Sequence, residues 1–268
     1  MQKGFTLIEL AIVIVIIGIL AGGALTGQSI IESAKRSKVV SDYEIYNKAL
    51  MAFQLEYDAL PGDFDEATQY WGEVSGNCST SGSDDETCDG GGDGKINYDC
   101  GSATSYEVVR AWQHLSLAEI LNEKFTGRSL PGPGSCMRYS TESGNKNVPS
   151  GSYDDSMWTV FNTPSSWSSG GVVSSQRNQK LFLVLGATHS EVVPGWNTRW
   201  HNPSVTTKQA KAIDDKFDDG NPYRGKLTDL GRSSNLSPNC TTNQTVNAEY
   251  DLSYEGKACI LMFETTLQ

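Results

Sequence analysis

Glu9 is a single carboxylate in the run FTLIELAIVIVIIGILAGGAL, Phe5 to Leu25. An unpaired charge in apolar surroundings costs several kcal/mol, so Glu9 demands a cationic partner or a proton. A second group capable of chemistry is Asp89-Gly90-Gly91-Gly92-Asp93-Gly94-Lys95-Ile96-Asn97. Alternating carboxylates, a glycine for the sharp turn and a backbone carbonyl are how a calcium loop begins. The candidate ligands are Asp89, Asp93, the Lys95 carbonyl, Asn97 and Asp99. The pattern is partial, because Gly91 stands where a third oxygen ligand is usual and Cys100 where a bidentate Glu is expected. A solvated acidic turn is the alternative. The same stretch fails as a phosphate loop, since Asp89 replaces the first Gly and Ile96 the Ser or Thr.

Six cysteines, Cys78, Cys88, Cys100, Cys136, Cys240 and Cys259, form an even set suited to disulfides on an exported chain. Composition leaves their connectivity open; proximity suggests Cys78 with Cys88, Cys100 with Cys136, and Cys240 with Cys259. Zinc is the rival reading, but no CxxC occurs and the three His are scattered. Catalytic spacings are absent as well: there is neither GxSxG nor HExxH. His114 falls in an expected helix, and His189, His201 and Glu191 flank a segment without a motif. The expectation is a protein that is not an enzyme.

Stepping out from these residues, Phe5 to Leu25 as a helix spans about 30 Å, enough to cross a bilayer once. Lys3 precedes it, which holds the amino terminus in the cytoplasm and exports the rest. A cleaved secretory signal or a plain anchor would account for the length but not for Glu9. Beyond it, Val39, Tyr43, Tyr46, Leu50, Phe53, Tyr57 and Leu60 recur at spacings of four and three, one apolar stripe on a helix. The helix is expected to reach about Leu60, where Pro61-Gly62 stops it. From Pro61 to Gly101 the sequence reads as a long Gly-, Asp-, Ser- and Cys-rich loop. Thr104 with Glu107 makes a capping-box pattern for a helix with Val108, Trp112, Leu115, Ile120, Leu121 and Phe125 on its apolar face. A further helix is expected over Thr206 to Phe217. Strands are expected at Met157 to Asn162, Gly171 to Ser175, Lys180 to Ala187 and Lys257 to Leu267. Trp71 and Trp112 read as core anchors.

The chain has 268 residues, 38% of them hydrophobic, enough for one or two packed cores. Its net charge of -11 disfavours generic nucleic-acid binding. A mean hydropathy of -0.38 excludes a multi-pass membrane protein.

KGFTLIEL followed by AIVIVIIGILA resembles the class III signal of type IV prepilins and type II secretion pseudopilins. The resemblance implies cleavage by prepilin peptidase between Gly4 and Phe5, N-methylation of Phe5, and pairing of Glu9 with the Phe amine of an adjacent subunit. It implies an α+β, pilin-like ladle, with a long helix packed on an antiparallel sheet. Residues 1–4 would then be the leader, 5–25 the transmembrane and assembly helix, 26–60 its amphipathic continuation, and 61–268 the exported head. Its implied partners are prepilin peptidase, other pilin or pseudopilin subunits and an inner-membrane assembly platform. Many such proteins carry a helix-bending proline where Thr26 stands here among Gly22, Gly23 and Gly27. ALPGDFDEATQYWG, RAWQHL and IDDKFDDGNPYRGK also resemble segments of larger prepilin-like proteins. The expected function is that of a pilin or minor pilin, single-pass in the inner membrane before it enters a fibre. A type II secretion pseudopilin is the alternative. A membrane-anchored adhesin using Trp158, Trp167, Trp196, Trp200 or calcium is the reading from another class.

Overall fold

The computed structural model describes residues 6–78, 81–97, 106–128, 130–131, 137–163, 179–187, 202–230, 239–243 and 245–267, with 21, 24, 25, 130, 131, 137 and 138 described by backbone alone. Helix α1, Leu7–Tyr57, runs unbroken for 51 residues, about 77 Å. It stops because Asp58, at φ 52, takes the left-handed cap conformation and donates its N–H to the Gln54 carbonyl. Gly62 follows at φ 88, where a Cβ would lie 2.2 Å from the Glu107 carbonyl oxygen. Only glycine lets the chain pass that close to the next helix.

Helices α2, Ala67–Trp71, and α3, Glu107–Leu117, come next. The hairpin β1, Leu130–Pro131, with β2, Met137–Arg138, leads to the main strands β3, Ser156–Asn162, and β4, Leu181–Ala187. After β5, Val205–Thr206, come α4, Thr207–Phe217, and β6, Leu227–Asp229, then β7, Lys257–Cys259, and β8, Leu261–Glu264. The main sheet has the order β3-β4-β8-β6, antiparallel throughout, and β5 pairs with β7 in a separate ribbon. Residues paired across the ladder share a face. Trp158 opposes Leu185, Leu183 opposes Phe263, and Leu227 opposes Phe263 on the far side, so these side chains form one layer.

That layer is the seat of α1. Tyr43 stacks on Phe263 at 5.3 Å and meets Phe217 of α4 edge-on at 4.9 Å. Tyr46 stands between Trp112 of α3 and Trp158 of β3, at 4.9 and 5.8 Å. Val39, Leu50 and Phe53 are completely buried, as are Trp112, Trp158 and Phe263. Burying each such side chain is worth about 1.5–3 kcal/mol. The head therefore folds around the upper half of α1.

Several sequence expectations need correction. The helix expected to reach Phe125 ends at Leu117, because Ala118 to Leu121 tighten into turns with Glu119 at φ 57. Glu107 does not cap it: its carboxylate accepts from Gly91 and Asn97 instead, and Thr104 lies outside the described residues. The stretch Lys257 to Leu267 is two strands in two sheets, divided at Ile260, whose N–H donates to Asp229. Helix α4 begins at Thr207, capped reciprocally by Thr206 and Gln209, a capping box the sequence reading did not identify. The expected strand Gly171 to Ser175 lies outside the described residues.

Candidate functional site

The lower half of α1 exposes its apolar side chains on every side. Leu7 is 89% exposed, Ile19 70% and Leu20 66%, and among the described residues no element of the head covers them. Helix propensity alone does not explain a naked run of this kind; apolar surface of this extent marks a contact to be made elsewhere. Among the described residues no helix is long and apolar enough to cross a membrane. The run whose side chains are all described, Leu7 to Leu20, rises about 21 Å against about 30 Å of hydrocarbon. The backbone nevertheless stays helical through Leu25 and beyond.

Glu9 sits at the first turn of this run. The Thr6 N–H and hydroxyl both donate to Glu9 Oε2, at 2.8 and 2.7 Å, and the Glu9 N–H donates to Thr6 Oγ1 at 3.3 Å. This reciprocal capping box satisfies helix donors that would otherwise lack partners. The ion pairs of the described residues do not include Glu9, so no cation of its own described chain answers its charge. Gly4 and Phe5 lie outside the described residues.

At the far end of α1, the Gly-rich loop is organised by carboxylates from its neighbours. Asp63 accepts the N–H groups of Asp93 and Gly94 at 3.1 and 2.8 Å, while Glu107 accepts those of Gly91 and Asn97 at 3.0 and 2.6 Å. The loop thus turns its N–H donors onto two buried side chains. Burial raises the Asp63 pKa and pushes that of Glu107 up to about 7, against the lowering effect of the backbone N–H groups. The candidate calcium ligands are dispersed among these contacts. Asp89 accepts from Thr68 N and Oγ1 at the start of α2, and Asp93 from Lys95 N and Asn97 Nδ2. Asp99 lies outside the described residues. Among the described residues, threes of acidic, His or Cys ligand atoms gather at Asp214, Asp218 and Asp219, and at Asp229, Cys240 and Cys259.

Behind this loop, α3 contributes a polar network that the sequence reading passed over. Arg110 Nη2 donates to the carbonyls of Cys78 and Ser81, and Nη1 to Gln113 Oε1. Gln113 Nε2 reaches the carbonyls of Ser83, Glu86 and Thr126. The Gly62 N–H donates to His114 Nδ1 at 3.0 Å, which places the ring proton on Nε2, 3.0 Å from Thr87 Oγ1. Burial, aided by the Arg110 charge, drives the His114 pKa down to about 3. Burial also lowers Arg110 to about 10. His114 is a neutral interior strut, and its place in RAWQHL, with Gln113 beside it and Arg110 one turn before, is the signal that foretells such a network.

The pairs Cys78–Cys88 and Cys240–Cys259 are disulfides, with Cα separations of 5.9 and 4.9 Å. Cys100 and Cys136 lie outside the described residues, as do His189, Glu191, His201, Trp167, Trp196 and Trp200. Trp158 is fully buried in the sheet.

A long helix seated by one half on an antiparallel sheet, its other half apolar and uncovered, defines an α+β protein of pilin-like fold. Residues 1–25 match the family model described as the prokaryotic N-terminal methylation motif. That motif is the class III signal peptide of type IV pilins and pseudopilins. The class is a structural one. No curated protein and no solved structure matches the chain.

Proposed function

We propose that this protein is a pilin or minor pilin, a subunit of a type IV pilus-like fibre that is inserted once in the inner membrane and then drawn into the fibre by its amino-terminal helix. One observation carries the reading: α1 has a bare apolar half containing Glu9, fixed end-on to a folded head by its other half. Before assembly, the bilayer covers Phe5 to Leu25 and the head faces the periplasm. In the fibre, the same side chains pack against their counterparts in neighbouring subunits. Cleavage after Gly4 creates a cationic amine on Phe5, and the charge of Glu9 is met by that amine on an adjacent copy. The acidic head then forms the outer surface. The motif supports prepilin peptidase as the processing partner and other pilin subunits as the assembly partners.

The deciding experiment is the amino-terminal sequence and intact mass of the chain extracted from membranes of its host. A chain starting at Phe5 with one extra methyl group supports the proposal; a start near Ala24 refutes it. Deletion of the gene then separates machines. Loss of surface fibres supports the pilus reading, whereas loss of exoprotein secretion with fibres intact assigns a type II secretion pseudopilin.

A further inference from the structure

The two described disulfides occupy opposite electrostatic settings. Cys78–Cys88 closes a ten-residue loop against α3. The Arg110 guanidinium lies beside it, with Nη2 3.6 Å from Cys88 Sγ and 3.1 Å from the Cys78 carbonyl oxygen. Arg110 is only 2% exposed, its Nε has no hydrogen-bond partner, and no ion pair of the described residues neutralises it. Asp89 and Glu107 have other partners, Asp89 accepting from Thr68 and Glu107 from the Gly-rich loop. Cys88 and Arg110 also line a cavity of about 110 Å³, whose wall includes the carboxylate-bearing residues Asp89 and Glu107 as well. Cys78 is half-buried, whereas Cys88 is 3% exposed. The second bridge differs on each count. Cys240 and Cys259 are fully buried, and both sulfurs lie within 4.8 Å of a carboxylate oxygen of Asp229, itself fully buried.

We propose that Cys78–Cys88 is a thiol-exchange site on the head, opened by attack of an external dithiol on Cys78 with Cys88 as the leaving group, while Cys240–Cys259 is inert. In the first step an external thiolate forms a bond to Cys78 Sγ, the S–S bond breaks, and the electron pair leaves on Cys88 Sγ as a thiolate next to Arg110. In the second, the other thiolate of the reductant attacks its own sulfur in the mixed disulfide and releases Cys78. The dithiol is oxidised to a disulfide as the protein bridge is reduced to two thiols. Exchange is faster when the leaving thiol has a low pKa, and a neighbouring cation supplies that condition. Asp229 does the reverse at the other bridge, since a thiolate formed there would face a buried carboxylate. Opening the first bridge frees the segment whose carbonyls, at Cys78, Ser81, Ser83 and Glu86, hang on Arg110 and Gln113. That segment also carries the exposed Asp84 and Asp85, so exchange alters the acidic surface the head presents.

The test uses the full chain in detergent at pH 8, exposed to dithiothreitol, quenched at intervals with iodoacetamide and mapped by peptide mass. Cys78 and Cys88 should be alkylated at least about tenfold sooner than Cys240 and Cys259. Reduced glutathione, a monothiol, should leave its adduct on Cys78. Equal rates, the reverse order, or an adduct on Cys88 overturns the proposal. Arg110→Gln should slow opening of the first bridge about tenfold and Arg110→Lys should restore it, whereas an unchanged rate in folded Arg110→Gln refutes the role of the cation. Should Arg110→Gln fail to fold, the order of alkylation and the adduct position in the unaltered protein still decide.

Discussion

The two halves of α1 belong to one uninterrupted helix yet differ in what covers them. From Val39 to Phe53 one apolar stripe faces the sheet and α3, with Val39, Leu50 and Phe53 fully buried, while Ile45 and Met51 on other faces are exposed. From Leu7 to Leu20 the side chains are at least as apolar and remain exposed in the isolated chain. A stripe is enough when a single neighbour covers the helix, whereas a helix that is apolar all round needs cover on every side. The upper half therefore stabilises the head, and the lower half has burial still to gain from a membrane or from other subunits. Between them Tyr153 donates to Glu32 at 3.0 Å and Lys35 lies 5.6 Å over the Tyr153 ring, a contact of the head with the stem.

This division makes the halves separable by mutation. Glu9→Ala should be processed normally and keep the melting temperature of the head, but enter fibres at least about tenfold less efficiently; immunoblots of sheared fibres against membranes measure it, and normal incorporation breaks the comparison. Phe53→Ala should do the opposite, costing the head about 3–5 kcal/mol in chemical denaturation while cleavage after Gly4 proceeds.

The pH response belongs to the head alone. Burial raises Glu107 and Asp214 to about 7 from ordinary values of 4.5 and 3.8. Their stabilising contribution is full below those ordinary values and is lost as pH rises through 7. His114, lowered from 6.5 to about 3, contributes above 6.5 and is lost as pH falls toward 3. Stability should therefore decline from about pH 4.5 to 7 and level off above it, the reverse of a head governed by salt-bridged carboxylates, and decline again toward pH 3. Thermal melts from pH 4 to 8 check this, and Glu107→Gln should flatten the alkaline limb. The smallest expected effect is Thr206→Ala, which removes the α4 cap and should cost about 1 kcal/mol.

Local patterns were legible where one neighbour and one period set the structure. The stripe from Val39 to Leu60 announced the seated half of α1, and enrichment in β-branched and aromatic residues between turn residues announced β3 and β4. Short elements were not legible: β6 is three residues, Leu227–Asp229, and exists because β8 offers it an edge. Glu107 looked like a helix cap because Thr104 stands three residues before it, but the Gly-rich loop claimed its carboxylate. The disulfide partners guessed from proximity hold for the two described pairs, since short loops close at the least entropic cost.

Sequence alone determined the amino-terminal motif: the run from Phe5 to Leu25, the charge within it and the Gly4-Phe5 junction are contiguous, so reading them needs no fold. Only the tertiary structure decided the settings of the two disulfides, with Arg110 beside one and Asp229 beside the other. It also decided that His114 is a neutral strut and that Asp63 and Glu107 organise the Gly-rich loop. Those residues lie tens of positions from the groups they act on, and burial and charge at a site are sums over neighbours that the linear order of the chain does not contain.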